Sequence, residues 1–385
     1  MDYTGARVAA ALPEVEVDLD AIAGNVATLR AGSERAEVMA VVKADGYGHG
    51  LVPSARAALS GGATWLGVAT IEEALAVRAA GITARTLAWL LPPGAACRAA
   101  VEADVDLSAN ASWAVAEIAA AARAAGRPAR LHLKIDTGLG RGGATAEDWP
   151  ALVETALAAQ AAGMIEVVGL WSHFAHADAP GHPTVVAQIT RFTDGVALAE
   201  QAGVRPEVRH LANSAATLTL PAAHFDLVRP GIAVYGISPI PATATSAELG
   251  LVPAMTVRAP VAHTKRVPAG QGVSYGHQYT TARETSLAVV PLGYADGVPR
   301  HASGTGPVLV GGIRRSVSGR VCMDQFVVDV GDDPVEPGHE VLLFGSGRHG
   351  EPLAEDWAQA AGTIAYEIVS RIGGRAVRRY TGGAP

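Results

Sequence analysis

At 385 residues, 49% hydrophobic and 17% charged, the chain is long enough for two domains and a sizeable buried core. A net charge of −7 without a basic run argues against nucleic acid and against an anionic membrane surface, and no run of about 18 apolar residues is present to span a bilayer. Cys97 and Cys322 make neither a disulfide framework nor a metal-ligand spacing, and the N-terminus has no charged-then-apolar leader, so a cytoplasmic protein is expected.

In chain order, EVEVDL (14–19) reads as an isolated strand. From residue 38 onward, β-rich runs alternate with alanine-rich stretches. The predicted strands are VMAVVKA (38–44), TWLGVA (64–69), RTLAWLL (85–91), VDLSAN (105–110), RLHLKID (130–136), VVGLWSHF (167–174), VRHLAN (208–213) and LVRPGIAVYG (227–236). Most spacers are long enough for a helix. Examples are TIEEALAVRAAG (70–81), SWAVAEIAAAARAAG (112–126) and DWPALVETALAAQAAG (148–163), the last two closing on a glycine stop. Eight such units predict a parallel sheet closed into a (β/α)8 barrel, with a doubly wound open sheet as the alternative.

After residue 250 the runs become β-branched and are broken by Gly, Pro and Asp, with little helix before DWAQAAG (356–362). This reads as a mainly β domain. The expected fold class is α/β: a (β/α)8 barrel over residues 14–250 followed by a mainly β domain over 251–385. The strand at 14–19 is able to pair with the β domain, because chain ends often meet.

Barrel enzymes carry their chemistry at the C-terminal ends of the strands. Five of the eight predicted strand ends bear suitable groups. The first ends in KADGYGHG, with Lys43 where the apolar run stops. A lysine desolvated against an apolar wall loses proton affinity and becomes a nucleophile able to form a Schiff base. Taken alone, the stretch is better read as a strand-end lysine in solvent beside a tight glycine turn. It lacks the glycine spacing of a dinucleotide fingerprint and the Gly-Lys-Ser/Thr of a P-loop. KIDTGLGRGG supplies Lys134, Asp136 and Arg141; SHFAHAD supplies His173, His176 and Asp178; HLANSAA supplies His210, Asn213 and Ser214; VRPGIAVYG supplies Arg229, Gly231 and Ile232. Arg141 and Arg229 suit an anion or a ring nitrogen, and Ser214 with the Gly231 amide suits a phosphate. His173 and His176 have the spacing of a metal pair, but a third ligand is missing and no metal is expected.

AVVKADGYGHG resembles the cofactor-lysine motif of the alanine racemases, pyridoxal-phosphate enzymes with an N-terminal barrel and a C-terminal β domain. The resemblance continues nearly end to end and in family order through KIDTGLGRGG, SHFAHAD, HLANSAA, VRPGIAVYG, VSYGHQY (273–279), PLGYADGVPR (291–300), GRVCMDQ (319–325) and IAYEIVSRI (364–372). It implies that Lys43 binds pyridoxal 5'-phosphate covalently and acts as the base on one face of the substrate Cα. By the same likeness Tyr275 is the base on the other face, contributed by the partner subunit of a homodimer whose active site is shared. Tyr47, Ser214, the backbone of Gly231 and Ile232, and Tyr366 resemble the phosphate site. Arg229 resembles the arginine facing the pyridine nitrogen, and His210 the histidine behind it. A guanidinium is a permanent donor, so that nitrogen stays unprotonated.

Arg141 and the Met323 amide resemble the substrate-carboxylate clamp, and Lys134 a lysine that relatives often carbamylate to orient that arginine. His173 resembles the hydrogen-bond partner of the catalytic tyrosine, whose ordinary pKa of about 10 makes it a poor base at neutrality without such help. Tyr294 and Tyr366 resemble residues that leave room for a methyl side chain. Asp324 reads as a support for the Met323 loop. His49 and His176 carry no role over. Three departures stand out: Asp45-Gly46 in place of Asn-Ala, GGRAVRRY near the C-terminus, and Pro230, which has no amide to give a phosphate.

The expected function is interconversion of L- and D-alanine for peptidoglycan, with a broad-specificity amino-acid racemase as the alternative. A barrel decarboxylase lacks its His-x-Gly-Ser segment here. A non-catalytic cofactor carrier has no use for a second base.

Overall fold

The computed structural model describes residues 12–33 and 35–383, and they divide into two compact units. The first strand, β1 (Glu14–Asp18), belongs outside the barrel. Eight further strands form one parallel sheet in nearly sequential order: β2 (Glu37–Val41), β3 (Trp65–Val68), β4 (Arg85–Ala88), β5 (Asp106–Ala109), β6 (Ala129–Lys134), β7 (Ile165–Trp171), β8 (Val208–His210) and β9 (Leu227–Val228). β9 pairs with β2, so the order wraps around. The β8–β9 seam is bridged beyond the regular ladder, by the Arg229 amide on the Ala212 carbonyl at 2.9 Å and the Asp226 amide on the Arg209 carbonyl at 3.1 Å. This is the nearly closed barrel that eight β-α repeats require, with short apolar strands buried on both sides. Met39, Trp65, Leu87, Val208 and Leu227, from five different strands, form one buried cluster, against which Trp89 packs. Burial of such side chains contributes roughly 1.5–3 kcal/mol each.

Helix boundaries match their local signals. Thr70 caps the helix Ile71–Ala79 in a reciprocal box with Glu73. Gly126, in the left-handed region, stops Ser112–Ala125. All eight barrel strands are shorter than predicted, and for two of them the local chain path shows why. The last ends at Val228, and Ile232–Tyr235 is a 3-10 turn, because Pro230 removes a ladder donor. The first ends at Val41 rather than Ala44.

Beyond Val41 the backbone takes an unusual path. Ala44, Asp45, Gly46 and Tyr47 all lie in the left-handed helical region, with φ of 54°, 53°, 62° and 52°. Each non-glycine residue there costs roughly 1–2 kcal/mol. The turn is held by the Ala44 amide on Glu73 Oε1 at 2.7 Å, the Gly46 amide on the Val42 carbonyl at 2.9 Å and the Leu51 amide on Asp45 Oδ1 at 2.8 Å. A Cβ at residue 46 would lie 2.7 Å from Ser54 Oγ, so the departure from alanine at this position has a steric counterpart.

The second unit gathers residues 12–21, 47–49 and 252–383. Within the range 14–250, β1 groups with the β unit, in keeping with the pairing foreseen for that strand, and so does Tyr47–His49. Its largest sheet runs Ile313–Ser316, Pro307–Val310, Glu340–Phe344, Met255–Pro260, β1, Val377–Thr381. β1 is antiparallel to Met255–Pro260 and parallel to Val377–Thr381. The alternation of EVEVD explains the placement. Val15 and Val17 are buried, while Glu14 pairs with Arg258 at 3.3 Å and Arg379 at 2.5 Å, and Glu16 with Arg258. A three-stranded sheet (His263–Val267, Thr285–Val290, Phe326–Gly331) and a short hairpin (Gly272–Val273 with Tyr279–Thr280) complete the β structure.

Candidate active site

In the barrel unit the predicted residues converge. The charges of Arg229, Arg141, Lys134 and Lys43 all act on His173, which burial and those cations hold well below its ordinary pKa. Lys43 is likewise lowered, first by burial and then by Arg141, with Glu73 opposing. An aromatic floor lies beneath these cations. Trp89 is 5.9 Å from Lys43 Nζ, Trp171 is 4.2 Å from Lys134 Nζ and 5.0 Å from the Arg229 guanidinium, and the two indoles are 6.0 Å apart.

Arg141 rides on the loop after β6. Asp136 Oδ1 accepts the amides of Gly138 and Leu139 at 2.9 Å, and the loop closes where Ala144 donates to the Lys134 carbonyl at 2.9 Å. Gly143, at φ 126°, is required there, since a Cβ would meet the Asp136 amide nitrogen at 2.5 Å. Across the ring, Gln188 is fully buried and ties Thr137 Oγ1, the His173 carbonyl and the Ala175 amide together.

Arg229 is buried at 4% exposure and donates to four acceptors: His210 Nδ1 at 3.1 Å, His173 Nδ1 at 3.3 Å, and the carbonyls of Ser172 at 2.8 Å and Leu211 at 3.1 Å. Burial lowers its pKa to about 9, still above neutrality, so it remains a cation. Ser214 Oγ accepts the Gly231 amide at 2.7 Å and the Ala233 amide at 3.3 Å. A hydroxyl has two acceptor sites and one proton, so Ser214 keeps its O–H to donate. The Gly231 amide therefore positions Ser214, and the next residue, Ile232, opens the buried 3-10 turn.

In the β unit, Tyr47 and Tyr366 have ring centroids 6.3 Å apart, and burial raises the Tyr47 pKa. Gly48 passes so close to Arg371's helix that a Cβ would lie 2.3 Å from the Val369 carbonyl oxygen. Tyr275 sits on a strained turn, since Ser274 has φ 59° and ψ −172°, a region nearly reserved for glycine. Ser274 Oγ holds that turn to the Arg320 carbonyl at 2.8 Å.

Tyr294 and Ala295 donate to the Cys322 and Met323 carbonyls at 3.0 Å. Buried Asp296 accepts two donors of Arg375 at 2.8 Å, and Arg375 reaches Asp324 at 2.7 Å. Asp324, next to Met323, thus pairs with an arginine in GGRAVRRY. His49 is buried, and His176 stacks on His182 at 4.1 Å.

Sequence reading missed Trp89, Trp171, Glu73, Gln188, Asp106 and His132. The capping pattern Thr70-x-x-Glu73 was visible, but its reach to Ala44 was not. His132 within RLHLKID and Asp106 within VDLSAN were signs of a polar barrel interior.

The fold and these strand-end groups define a barrel enzyme with a half-buried lysine of lowered proton affinity at one strand end. The family description "Alanine racemase, N-terminal domain" matches residues 17–239, and "Alanine racemase, C-terminal domain" matches 254–380. An alanine racemase of Frankia casuarinae is 65% identical over 94% of this chain and 95% of its own length. The crystal structure of alanine racemase from D-cycloserine producing Streptomyces lavendulae matches with a TM-score of 0.97 at 59% identity, covering 98% of this chain and 99% of that one. That of Bacillus anthracis, with bound L-Ala-P, matches with a TM-score of 0.86 at 36% identity over 96% and 95%. The chain belongs to the alanine racemase family, and it is an enzyme of the isomerase class. Among the described residues, no helix is long and apolar enough to cross a membrane.

Among the shifted groups of the site, Lys134 has a pH effect that can be read as stability. Lys134 is lowered from 10.5 to about 8, by burial first and then by Arg229 and Arg141. The folded chain then binds fewer protons than the unfolded chain between these values, so stability rises with pH across that window. Below about 8 the penalty for burying the ammonium is fully present. With Lys134 as the unmodified amine, thermal unfolding of wild type and Lys134→Met will differ by a contribution that disappears as pH climbs from 8 to 10.5. Parallel profiles in the two proteins would contradict this.

Proposed function

We propose that the protein interconverts L- and D-alanine with pyridoxal 5'-phosphate, using Lys43 on one face of the substrate and Tyr275 of a partner subunit on the other. The barrel residues fit the cofactor. A depressed lysine suits covalent attachment, Ser214 retains an O–H for a phosphate oxygen, and Arg229 is a fixed cationic donor with no acceptor atom. When bound, the cofactor supplies an electron sink that acidifies the substrate Cα–H.

The protein's own residues handle the protons and the carboxylate. Lys43 Nζ, its proton affinity reduced, exchanges a proton at Cα. Arg141 clamps the carboxylate together with the Met323 amide, and carbamylated Lys134 would orient Arg141; burial, which favours the neutral amine, supports that modification. His173 accepts from Arg229 at Nδ1, so its own proton is on Nε2. An Nε2–H donor stabilises a phenolate, which is the state Tyr275 needs to act as a base. Tyr294 and Tyr366 restrict the side chain to a methyl group.

The homodimer reading is supported by exposure in the single chain: 70% for Tyr275, 53% for Met323 and 41% for Tyr294. A cytoplasmic site of action and supply of D-alanine to peptidoglycan complete the proposal. The observation that carries it is the convergence of Lys43, Lys134, Arg141, His173 and Arg229 within one barrel whose sequence matches the family end to end.

The test is incubation of the cofactor-loaded enzyme with L-alanine, L-serine, L-lysine and L-arginine in D2O. Wild type is expected to invert alanine fastest, with deuterium at Cα. Tyr275→Phe is expected to lose inversion while Lys43 still exchanges the proton on its own face. Equal rates on the larger amino acids would replace this reading with a broad-specificity racemase. Undiminished inversion by Tyr275→Phe would remove the second base.

A further inference from the structure

We propose that Asp106 and His132 are positioning residues, forming with His210 a one-way hydrogen-bonded column through the barrel that holds Arg229 in place; the inference rests on the racemase reading for its catalytic consequence. His210 Nε2 lies 2.9 Å from His132 Nδ1, and His132 Nε2 lies 3.1 Å from Asp106 Oδ2. All four side chains are buried: His132 and His210 at 0%, Asp106 at 1% and Arg229 at 4% exposure.

The direction of the column is set by donor chemistry. A guanidinium has no acceptor, so His210 Nδ1 must accept from Arg229 and the His210 proton is on Nε2. That N–H donates to His132 Nδ1. The His132 proton is then also on Nε2 and donates to the Asp106 carboxylate. Every donor points the same way, from Arg229 to Asp106, and both imidazoles are neutral. Burial, Arg229 and His132 hold His210 well below its ordinary pKa, in agreement.

The anion at the far end is anchored. Arg85 and Arg130 bind Asp106 at 2.9 and 3.0 Å, and both also reach Glu207. Arg85 also lies 3.7 Å over Trp65, which meets His132 edge-on. Trp171 stacks on His210 with rings 6° from parallel.

The backbone is shaped around His132. Its strand pairing is regular to Leu131, then slips so that His132 faces Gly169 instead of Val168. A Cβ at residue 169 would lie 2.0 Å from His132 Nδ1. A glycine weakens a strand interior, and no backbone twist calls for it here, because Gly169 is not among the positive-φ glycines. The bulge and the missing side chain both make room for the imidazole.

The test uses the cofactor-loaded enzyme with 15N-labelled histidine. Imidazole shifts are expected to show His132 and His210 neutral, each protonated on Nε2. His132→Leu removes the acceptor for His210 and is expected to lower kcat roughly 10- to 100-fold, the range for groups that orient a reacting partner, with KM little changed. His132→Gln offers a carbonyl in the same place and is expected to recover most of that loss. Asp106→Asn keeps an acceptor oxygen and is expected to fall between, which preserves the test if His132→Leu does not fold. A proton on His210 Nδ1, or unchanged kcat in both His132→Leu and Asp106→Asn, overturns the proposal. The tautomers are read without turnover, so failure of the racemase reading shows separately, as wild-type enzyme that forms no D-alanine.

Discussion

Lys43→Ala is expected to lower turnover by about 10⁴-fold or more, since it removes both a covalent attachment point and a base. The local structure shows why the position cannot be shared. Lys43 comes just after β2 and opens the left-handed turn, whose strain is offset by Glu73, Asp45 and the Val42 carbonyl. Glu73 also joins the Ala69 and Thr70 amides, at 2.8 and 3.2 Å, so the turn is locked to the neighbouring β-α loop. The lysine is therefore held on rigid backbone while burial and Arg141 reduce its proton affinity.

Lys43→Arg separates chemistry from charge. Arginine preserves the cation but stays protonated at any working pH, so it should be as inactive as alanine. The measurement is D-alanine formation by wild type and both variants after reconstitution with cofactor. Substantial activity in Lys43→Arg would show that charge alone is needed and would refute the role of base and nucleophile.

The second large effect is expected at Arg229. Arg229→Lys keeps the charge and loses the planar fork that serves four acceptors. Removing one fixed donor of this kind costs roughly 10²–10³ in kcat. Leaving the buried Ser172 and Leu211 carbonyls without their donor should destabilise the fold by roughly 3 kcal/mol. Urea unfolding measures the second quantity and steady-state kinetics the first. In Arg229→Leu the nearest cation acting on His173 is gone, so that imidazole should titrate closer to its ordinary pKa. NMR titration of His173 checks the direction, and a downward shift would mean that the neighbouring charges have been misassigned.

Much of this protein could be read along the chain. All eight barrel strands were predictable because a strand buried on both faces needs a short apolar run whatever surrounds it. Residues at the strand ends were legible because (β/α)8 geometry brings successive ends to one face. The β1 strand was recognisable as a strand able to pair with the β domain, but its neighbours and its ion pairs with Arg258 and Arg379 lie far away in sequence. His132 and Asp106 were hidden because a polar residue inside a barrel reads like any polar residue at an alternate position. Their roles depend on which atoms three other strands deliver within about 3 Å, the reach of a hydrogen bond.

The sequence by itself determined the order of elements, the two-part organisation and the residue types at the site. Those depend on local backbone preference, on apolar periodicity and on motifs that survive as short strings. Tertiary structure alone decided the left-handed turn at Ala44–Tyr47, the depressed Lys43 and Lys134, and the donor direction from Arg229 to Asp106. The reason is that desolvation and hydrogen-bond direction are set by neighbours distant in sequence, and no string of adjacent residues contains them.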